Sequence, residues 1–500
     1  MAAASTSMPP CEYDVISYVL GSPQYDEEKP VSRSALPYYS ILFLGIIAAG
    51  GIASGSNPYY SEMEFTHQLN MIKPKYIFTQ SAFLEKVISY SAKSGIDNSR
   101  IFVLENANKS SLEALSWKSL LEHGEADWVH LTNSETSRQT IAVYLMSSGT
   151  TGLPKAVVLS HSNVLSSLRL SYGQENKRFE VRRLLCLPQF ATAAVFSNHF
   201  TPLRHGEVCY VMPRYETGAF LDAMVRHTIT EITLMPPMLI QILQSPKANK
   251  STFKSVRYLH GGGAKIPSSL QNRMKSMLPP KTPFTPVYGL SEASGIVTSF
   301  LWPEDDETGS IGRLLQGLEA KLVDDDEKDL GCFDKPGELC IKGPTVMLGY
   351  LKNTSATQST VTSDGWLKTG DICYRDERTL KWYIVDRKKD MIKVNAFQVS
   401  PVELENILLQ HPGVSEAAVI GIEAPERATE LPLAFIVPRP NMLEPLTERM
   451  IQDYVSRKVV KYKRLEGGVE FVNSIPKAAS GKILKSILRE RLRKERLGRL

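Results

Sequence analysis

The 500-residue chain is short of several things, and each shortage removes a class of function. It has six cysteines, Cys11, Cys186, Cys209, Cys332, Cys340 and Cys373, and no two stand at zinc-knuckle or redox-pair spacing. Scattered single thiols fit a reducing compartment, where they behave as small buried hydrophobes. No charge of one sign dominates: the formal net charge is +5, so composition asks for no nucleic-acid partner. No basic region followed by an apolar run opens the chain, which argues against a signal peptide. The longest apolar stretch, Ile41 to Ala53, is broken by Gly45, Gly50 and Gly51 and is too short to span a bilayer. Internal repeats and low-complexity segments are also missing. The ending Gly498-Arg499-Leu500 matches a Ser-Lys-Leu-type peroxisomal address only loosely, so the expected location is cytoplasmic, with the peroxisome as the alternative.

What is there is an alternation of strand-like and amphipathic stretches. Val208 to Met212 reads as a strand, Phe220 to His227 as a helix and Ile229 to Leu234 as a strand. Pro236-Pro237 then opens a helix through Leu243, since proline is tolerated in a first helical turn. This pattern predicts an α/β fold. From about residue 310 glycines and short strand runs take over, as in Gly337 to Gly343, and predict a β-rich lobe over about 310–388. Asp386-Arg387-Lys388-Lys389-Asp390 reads as a charged link. Beyond it, a helix (402–409), two strands (417–421 and 432–437) and a helix (446–458) predict a separate C-terminal domain of ordinary size. The basic run Arg489 to Arg496 reads as a charged terminal helix, or as a surface that attracts a polyanion.

The string Ser147-Ser148-Gly149-Thr150-Thr151-Gly152-Leu153-Pro154-Lys155 packs four hydroxyls, two glycines and a lysine into nine positions. Glycines let backbone approach a ligand closely; hydroxyls, backbone N–H groups and an ammonium suit phosphate oxygens. Apolar runs flank it, Ile141 to Met146 and Ala156 to Leu159, so the loop is predicted to join two strands. The P-loop spacing is absent, which disfavours a P-loop NTPase.

This string resembles the signature of the adenylate-forming superfamily, which includes acyl- and aryl-CoA ligases, beetle luciferases and the adenylation domains of peptide synthetases. The resemblance runs from about residue 41 to 490, and the segment 51–80, with Asn57-Pro58-Tyr59-Tyr60 and His67-Gln68-Leu69, is similar to the 4-coumarate–CoA ligase branch. Further motifs follow in the family's order. Tyr288-Gly289-Leu290-Ser291-Glu292 resembles the motif in which tyrosine lies along adenine, a hydroxyl touches the α-phosphate and glutamate holds magnesium. Gly261-Gly262-Gly263-Ala264 is similar to the turn beside adenine and the acyl group. Thr369-Gly370-Asp371 resembles the motif whose aspartate takes both ribose hydroxyls. Tyr383 to Asp390 looks like the hinge motif, which implies that Arg387 contacts ribose and Lys389 is the pivot. Lys393 matches a lysine near the AMP phosphate. Pro476 to Lys482 resembles the C-terminal motif that carries the adenylation lysine, Lys482.

The resemblance implies a large N-terminal domain of layered α/β subdomains with a β-rich lobe (1–388) and a small mobile α+β C-terminal domain (389–500). It implies an ATP- and Mg2+-dependent ligase that turns a hydrophobic, aromatic or medium-chain carboxylic acid into an acyl-adenylate and then a coenzyme A thioester. Lys482, Glu292 and Ser291 would serve catalysis; Arg214, Asn395 and Ala396 would face coenzyme A; Ala193, Ser197, Val287 and Ile296 would line the acyl pocket. Some positions depart from the family. Its Pro-x-Phe-His reads Pro188-Gln189-Phe190-Ala191, its Lys-Gly after the hinge reads Asn395-Ala396, Val287 narrows the acyl pocket, and Ala156 follows the phosphate loop where relatives have glycine. The first subdomain is expected to be incomplete, because a helix and a strand that relatives place before the segment 42–51 find no counterpart here. An enzyme with another acceptor, or a catalytically impaired nucleotide-binding relative, are the alternatives.

Overall fold

A computed structural model of the chain describes residues 14–16, 37–58, 60–104, 115–147, 154–172, 177–186, 194–212, 215–262, 266, 268–394, 397–424, 429–440, 445–477 and 483–497. The apolar stretch near residue 41 is a helix, α1 (Pro37–Ala48), ending at Ala49-Gly50. Its twelve residues reach about 18 Å, and among the described residues no helix is long and apolar enough to cross a membrane. Phe43, Leu44 and Ile47 bury it in the main core. The chain then forms β1 (Ala53–Ser54), α2 (Glu62–Ile72), β2 (Ile77–Thr79), α3 (Leu84–Ala92), β3 (Ile101–Val103) and β4 (Leu115–Ser116). A capping box starts α2: Glu64 accepts from the Ser61 N–H, and Ser61 Oγ accepts from the Glu64 N–H. Strands β2, β3 and β4 make a small parallel sheet.

The two apolar runs around the polar string are β5 (Ile141–Ser147) and β6 (Lys155–Ser160), an antiparallel pair. Their residues are almost all buried, as a central strand pair requires. Helix α4 (His161–Tyr172) follows directly. Strands β7 (Arg182–Leu185) and β8 (Val208–Val211), helix α5 (Thr217–Arg226), β9 (Glu231–Leu234), α6 (Pro236–Gln244), β10 (Tyr258–Gly261), α7 (Ser268–Lys275) and β11 (Phe284–Pro286) come next. Their strands form an all-parallel sheet in the order β11-β10-β9-β7-β8. Leu184, Ile232, Leu234, Leu259 and Phe284 alternate onto one face and pack with Phe220, Leu239 and Met274 of the helices. Buried Glu231, on this sheet, is held by Lys177 at 2.5 Å and Arg183 at 3.2 Å.

The expected β-rich lobe is present. Strands β12 (Tyr288–Leu290), β13 (Gly295–Ser299) and β14 (Arg313–Leu314) form one antiparallel sheet. Strands β15 (Glu319–Val323) and β16 (Gly337–Lys342) open another, while β17 (Gly349–Tyr350) pairs back onto β6. β18 (Leu367–Arg375) and β19 (Trp382–Arg387) complete the order β15-β16-β18-β19. The sheet containing the β5–β6 hairpin therefore has the order β1-β5-β6-β17.

The segment read as a charged link is not a solvated linker. Asp386 and Arg387 end β19, residues 388–390 make one 3-10 turn, and Asp386 and Asp390 are buried. Charge here is spent on contacts: Asp390 pairs with Arg489 at 3.2 Å, and Lys388 with Glu338 at 2.9 Å. After β20 (Ile392–Val394) and β21 (Phe397–Val399) come α8 (Pro401–Leu409), β22 (Val414–Ala424), β23 (Thr429–Pro438), α9 (Glu448–Ser456), β24 (Gly468–Phe471) and α10 (Lys485–Leu497). The sheet β22-β23-β24 separates two apolar clusters, one under α8 and α9 and one under α10. The basic terminal run is thus an amphipathic helix, with Leu488 and Leu492 in the core.

Candidate active site

Asp371 is the centre of the arrangement. It is 3% exposed and lies opposite Arg387 across the β18–β19 pair. Its Oδ1 meets Arg387 Nε at 2.7 Å, and its Oδ2 accepts from Tyr288 Oη at 2.7 Å. Three separate sequence motifs thus converge on one carboxylate. Burial, and then Asp371 itself, push the Tyr288 phenol well above its usual range, so it stays a donor. Burial works against the Arg387 charge, yet Asp371 leads the carboxylates and phenol that hold its pKa up. The turn before Asp371 needs glycine: Gly370 has φ +71°. Its N–H donates to Glu338 Oε1 at 3.1 Å, and Thr369 Oγ1 donates to the Leu339 carbonyl at 2.7 Å.

A second group forms around Glu292. Ser291, Glu292 and Ala293 make a 3-10 turn between β12 and β13. Gly289 in β12 has no room for a side chain, because a Cβ would lie 2.1 Å from the Gly295 carbonyl oxygen. Glu292 Oε1 accepts from Tyr350 Oη at 2.9 Å, and its backbone carbonyl accepts from the Met347 N–H. Lys155 Nζ sits 4.9 Å from the centre of the Tyr350 ring. Tyr350 therefore joins Glu292 to the loop lysine. No sequence motif marked it; its only signal is its place two residues into a strand that pairs back onto β6. Burial, then Glu292, raise its phenol pKa, so it too remains a donor.

Ser147 and Lys155 stand opposite each other in register at the two ends of the polar loop. His67 of α2 donates Nε2–H to the Pro154 carbonyl at 3.0 Å and fastens the loop's exit. Ser148, Gly149, Thr150, Thr151 and Gly152 lie outside the described residues, as do Gly263, Ala264, Ala193, Ala191, Arg214, Asn395, Ala396 and Lys482. Of the residues expected beside the acyl group, Gly262 and Val287 are neighbours: a Cβ on Gly262 would meet Val287 Cγ2 at 3.3 Å. Ile296 pairs with Gly289. Ser197 sits on a π-helical turn over residues 196–200 and accepts at its carbonyl from Arg183 Nη1 at 3.4 Å. Lys389 lies on the 3-10 turn after Arg387, where burial lowers its pKa. Lys393 is exposed on β20, and its N–H donates to Glu430, which ties it to the C-terminal sheet.

Among the described residues no three His, Cys, Asp or Glu side chains cluster as a metal cage. One carboxylate with an oxygen oriented by Tyr350 suits magnesium, which keeps waters and takes most of its ligands from nucleotide phosphates.

The model of the AMP-binding enzyme family matches residues 34–351, and that of the AMP-binding enzyme C-terminal domain matches 403–482. Phenylacetyl-CoA ligase epaB of Aspergillus niger is 42% identical over 460 residues, covering 91% of this chain and 85% of that one. 4-coumarate–CoA ligase 3 of Arabidopsis thaliana is 34% identical over 458 residues, covering 90% and 79%. The crystal structure of the anthranilate CoA ligase AuaEII with anthranoyl-AMP superposes with a TM-score of 0.84 at 23% identity, over 98% of this chain and 99% of that one, and shares the fold. With three motifs meeting at Asp371 and a fourth tied to Glu292, the chain belongs to the AMP-binding enzyme family, in its acyl-CoA ligase branch.

Proposed function

We propose that the chain is an AMP-forming acid–thiol ligase that activates a hydrophobic carboxylic acid with MgATP and passes the acyl group to coenzyme A. The observation that carries this is the Tyr288–Asp371–Arg387 convergence beside the Glu292–Tyr350–Lys155 group, in a chain related to phenylacetyl-CoA and 4-coumarate–CoA ligases. A carboxylate is a poor acyl donor at neutral pH. Attack of its oxygen on the α-phosphorus of ATP forms the acyl–phosphate bond and expels pyrophosphate. The thiolate then attacks the acyl carbon and AMP leaves.

In this reading Asp371 accepts from the ribose hydroxyls, fixed in place by Arg387 and Tyr288. The Tyr288 ring flanks adenine beside Gly262. The 147–155 loop, Ser291 and Lys155 hold phosphate oxygens, and Glu292 would carry magnesium, which screens the pyrophosphate charge. Lys482 supplies the mobile positive charge for the first step. Positioning and charge, rather than a protein nucleophile, carry such chemistry. We assign 1–388 and 389–500 as two domains with the pivot at Lys389, and take Val287, Gly262, Ile296 and Ser197 as the acyl wall. The acid is aromatic or of medium chain length. The unpaired state of every described cysteine supports a cytoplasmic location.

A second reading, adenylation with another acceptor, is favoured by Ala191, Asn395 and Ala396, which replace residues on the thiol side. Pyrophosphate release across a panel of aromatic and fatty acids, with and without coenzyme A, separates the two. Acid-dependent release that rises with coenzyme A and drops at least a hundredfold in Lys482→Ala is expected, an effect of about 3 kcal/mol. Release indifferent to coenzyme A favours another acceptor; none with any acid sinks both.

A further inference from the structure

We propose that Tyr350 is a positioning residue that keeps two opposite charges of the nucleotide site apart and ready for their ligand. The proposal rests on the reading above, in which Lys155 meets phosphate oxygens and Glu292 holds magnesium. The phenol donates Oη–H to Glu292 Oε1 at 2.9 Å, and the Lys155 ammonium lies 4.9 Å from the centre of the same ring. Among the described residues, neither the Lys155 ammonium nor Glu292 Oε2 makes a hydrogen bond or an ion pair. An ammonium and a carboxylate that share a neighbour ordinarily close into a salt bridge. Here one side chain holds each at a different place, the cation over its face and the anion at its hydroxyl.

The chain around Tyr350 holds it in that place. Its N–H donates to Thr357 Oγ1 at 2.9 Å, and that hydroxyl donates to the Asn353 carbonyl at 2.9 Å, at the start of a short helix, Thr354–Thr360. The position before it requires glycine: Gly349 has φ +148°, and a Cβ there would lie 2.8 Å from Thr357 Cγ2. On either side, the Leu348 N–H donates to the Val158 carbonyl at 3.0 Å and the Leu351 N–H to the Ala156 carbonyl at 2.8 Å. Tyr350 is thereby moored to the strand that begins with Lys155. The Met347 N–H donates to the Glu292 carbonyl at 2.9 Å, which moors the same segment to the glutamate's turn. Backbone bonds thus set Tyr350 beside both charges independently of its phenol.

The two holds do different work. The hydroxyl occupies one oxygen of Glu292 and leaves the other for a cation, which suits magnesium, an ion that keeps waters and takes few carboxylate oxygens. The ring holds Lys155 without a hydrogen bond, so an arriving phosphate oxygen takes the ammonium without first breaking an ion pair. With Tyr350 removed, the two charges neutralise each other and a nucleotide must compete with Glu292 for Lys155.

The test is calorimetric binding of ATP to the full chain, with EDTA or with titrated Mg2+, and without acid, so that it is read apart from the ligase reaction. Tyr350→Phe keeps the ring and removes the hydroxyl. The free Mg2+ that half-saturates its ATP binding is expected to rise about tenfold, with metal-free ATP binding within about twofold of the native chain. Tyr350→Leu removes both holds, and metal-free ATP binds about tenfold more weakly as Lys155 closes on Glu292. Glu292→Gln beside Tyr350→Leu removes that competitor and restores the affinity, while beside native Tyr350 it changes metal-free binding by at most about threefold. A purely structural loss is not recovered by Glu292→Gln. Unchanged Mg2+ demand in Tyr350→Phe overturns the proposal, and so does a Tyr350→Leu defect that Glu292→Gln fails to restore; if Tyr350→Leu does not fold, Tyr350→Phe alone decides. A native chain that binds ATP yet releases no pyrophosphate with any acid sinks the ligase reading and leaves this one standing, whereas one that binds no ATP overturns both.

Discussion

On Asp371 two donors of different kinds converge, the Tyr288 hydroxyl and the Arg387 guanidinium, and each takes a different oxygen. That fixes the carboxylate's orientation, and in the proposed function it is this group that accepts from the ribose diol. Asp371→Asn keeps the size and removes the charge, turning one acceptor into a donor. A rise in the KM for ATP of about tenfold to a hundredfold is expected, the usual cost of a hydrogen bond to a charged group, with the KM for the acid little changed. Steady-state pyrophosphate release at varied ATP and varied acid checks both. The residue types here were legible because motifs name them. Tyr350 was not, because it works across 58 positions of sequence on Glu292 and stands in no recognisable string.

Among the elements, the join between β19 and α8 is the least expected. Asp386 Oδ2 accepts from Ser400 Oγ at 2.8 Å and from the Val402 N–H at 3.0 Å, so a buried carboxylate of one unit caps the first turn of the next. Asp386→Ala leaves those donors without their acceptor and is expected to lower stability by about 2 kcal/mol, read as a shifted urea midpoint. A change near zero would mean that water replaces the carboxylate. The sequence around 386–390 showed charge, which reads as solvent exposure unless the partners are known. Ser400 and Arg489 supply them from 14 and 99 residues away. By contrast, the β5–β6 hairpin was readable because its apolar runs bracket a loop of small polar residues, and both strands are central enough to be apolar on both faces.

Across the whole molecule, α1 and His199 meet over 159 positions of sequence. His199 Nδ1 bonds Ser40 Oγ at 2.5 Å, and Tyr39 packs edge-on to the imidazole. Burial lowers the His199 pKa from 6.5 to about 4, so the folded state holds it neutral. An unfolded chain takes the proton near 6.5; stability from this group is complete above that pH and is lost as pH falls toward 4. The loss is on the order of 3 kcal/mol, and His199→Gln should flatten the dependence of Tm on pH between those limits. That β1 joins β5 while β2 joins β3 in a separate sheet was beyond reach of the sequence, since which strands pair is a property of the assembled layers. Glu338 shows what that assembly does for motion. Its two oxygens hold the Gly370 N–H, beside Asp371, and Lys388 Nζ, next to Lys389. With the roles proposed above for Asp371 and Lys389, this one side chain works as a crankpin: a shift in the nucleoside turn becomes torque at the pivot. Glu338→Gln, which keeps an acceptor for the turn but slackens the lysine, should uncouple the two, leaving adenylate formation near normal while thioester formation slows, as single-turnover assays of each step would register.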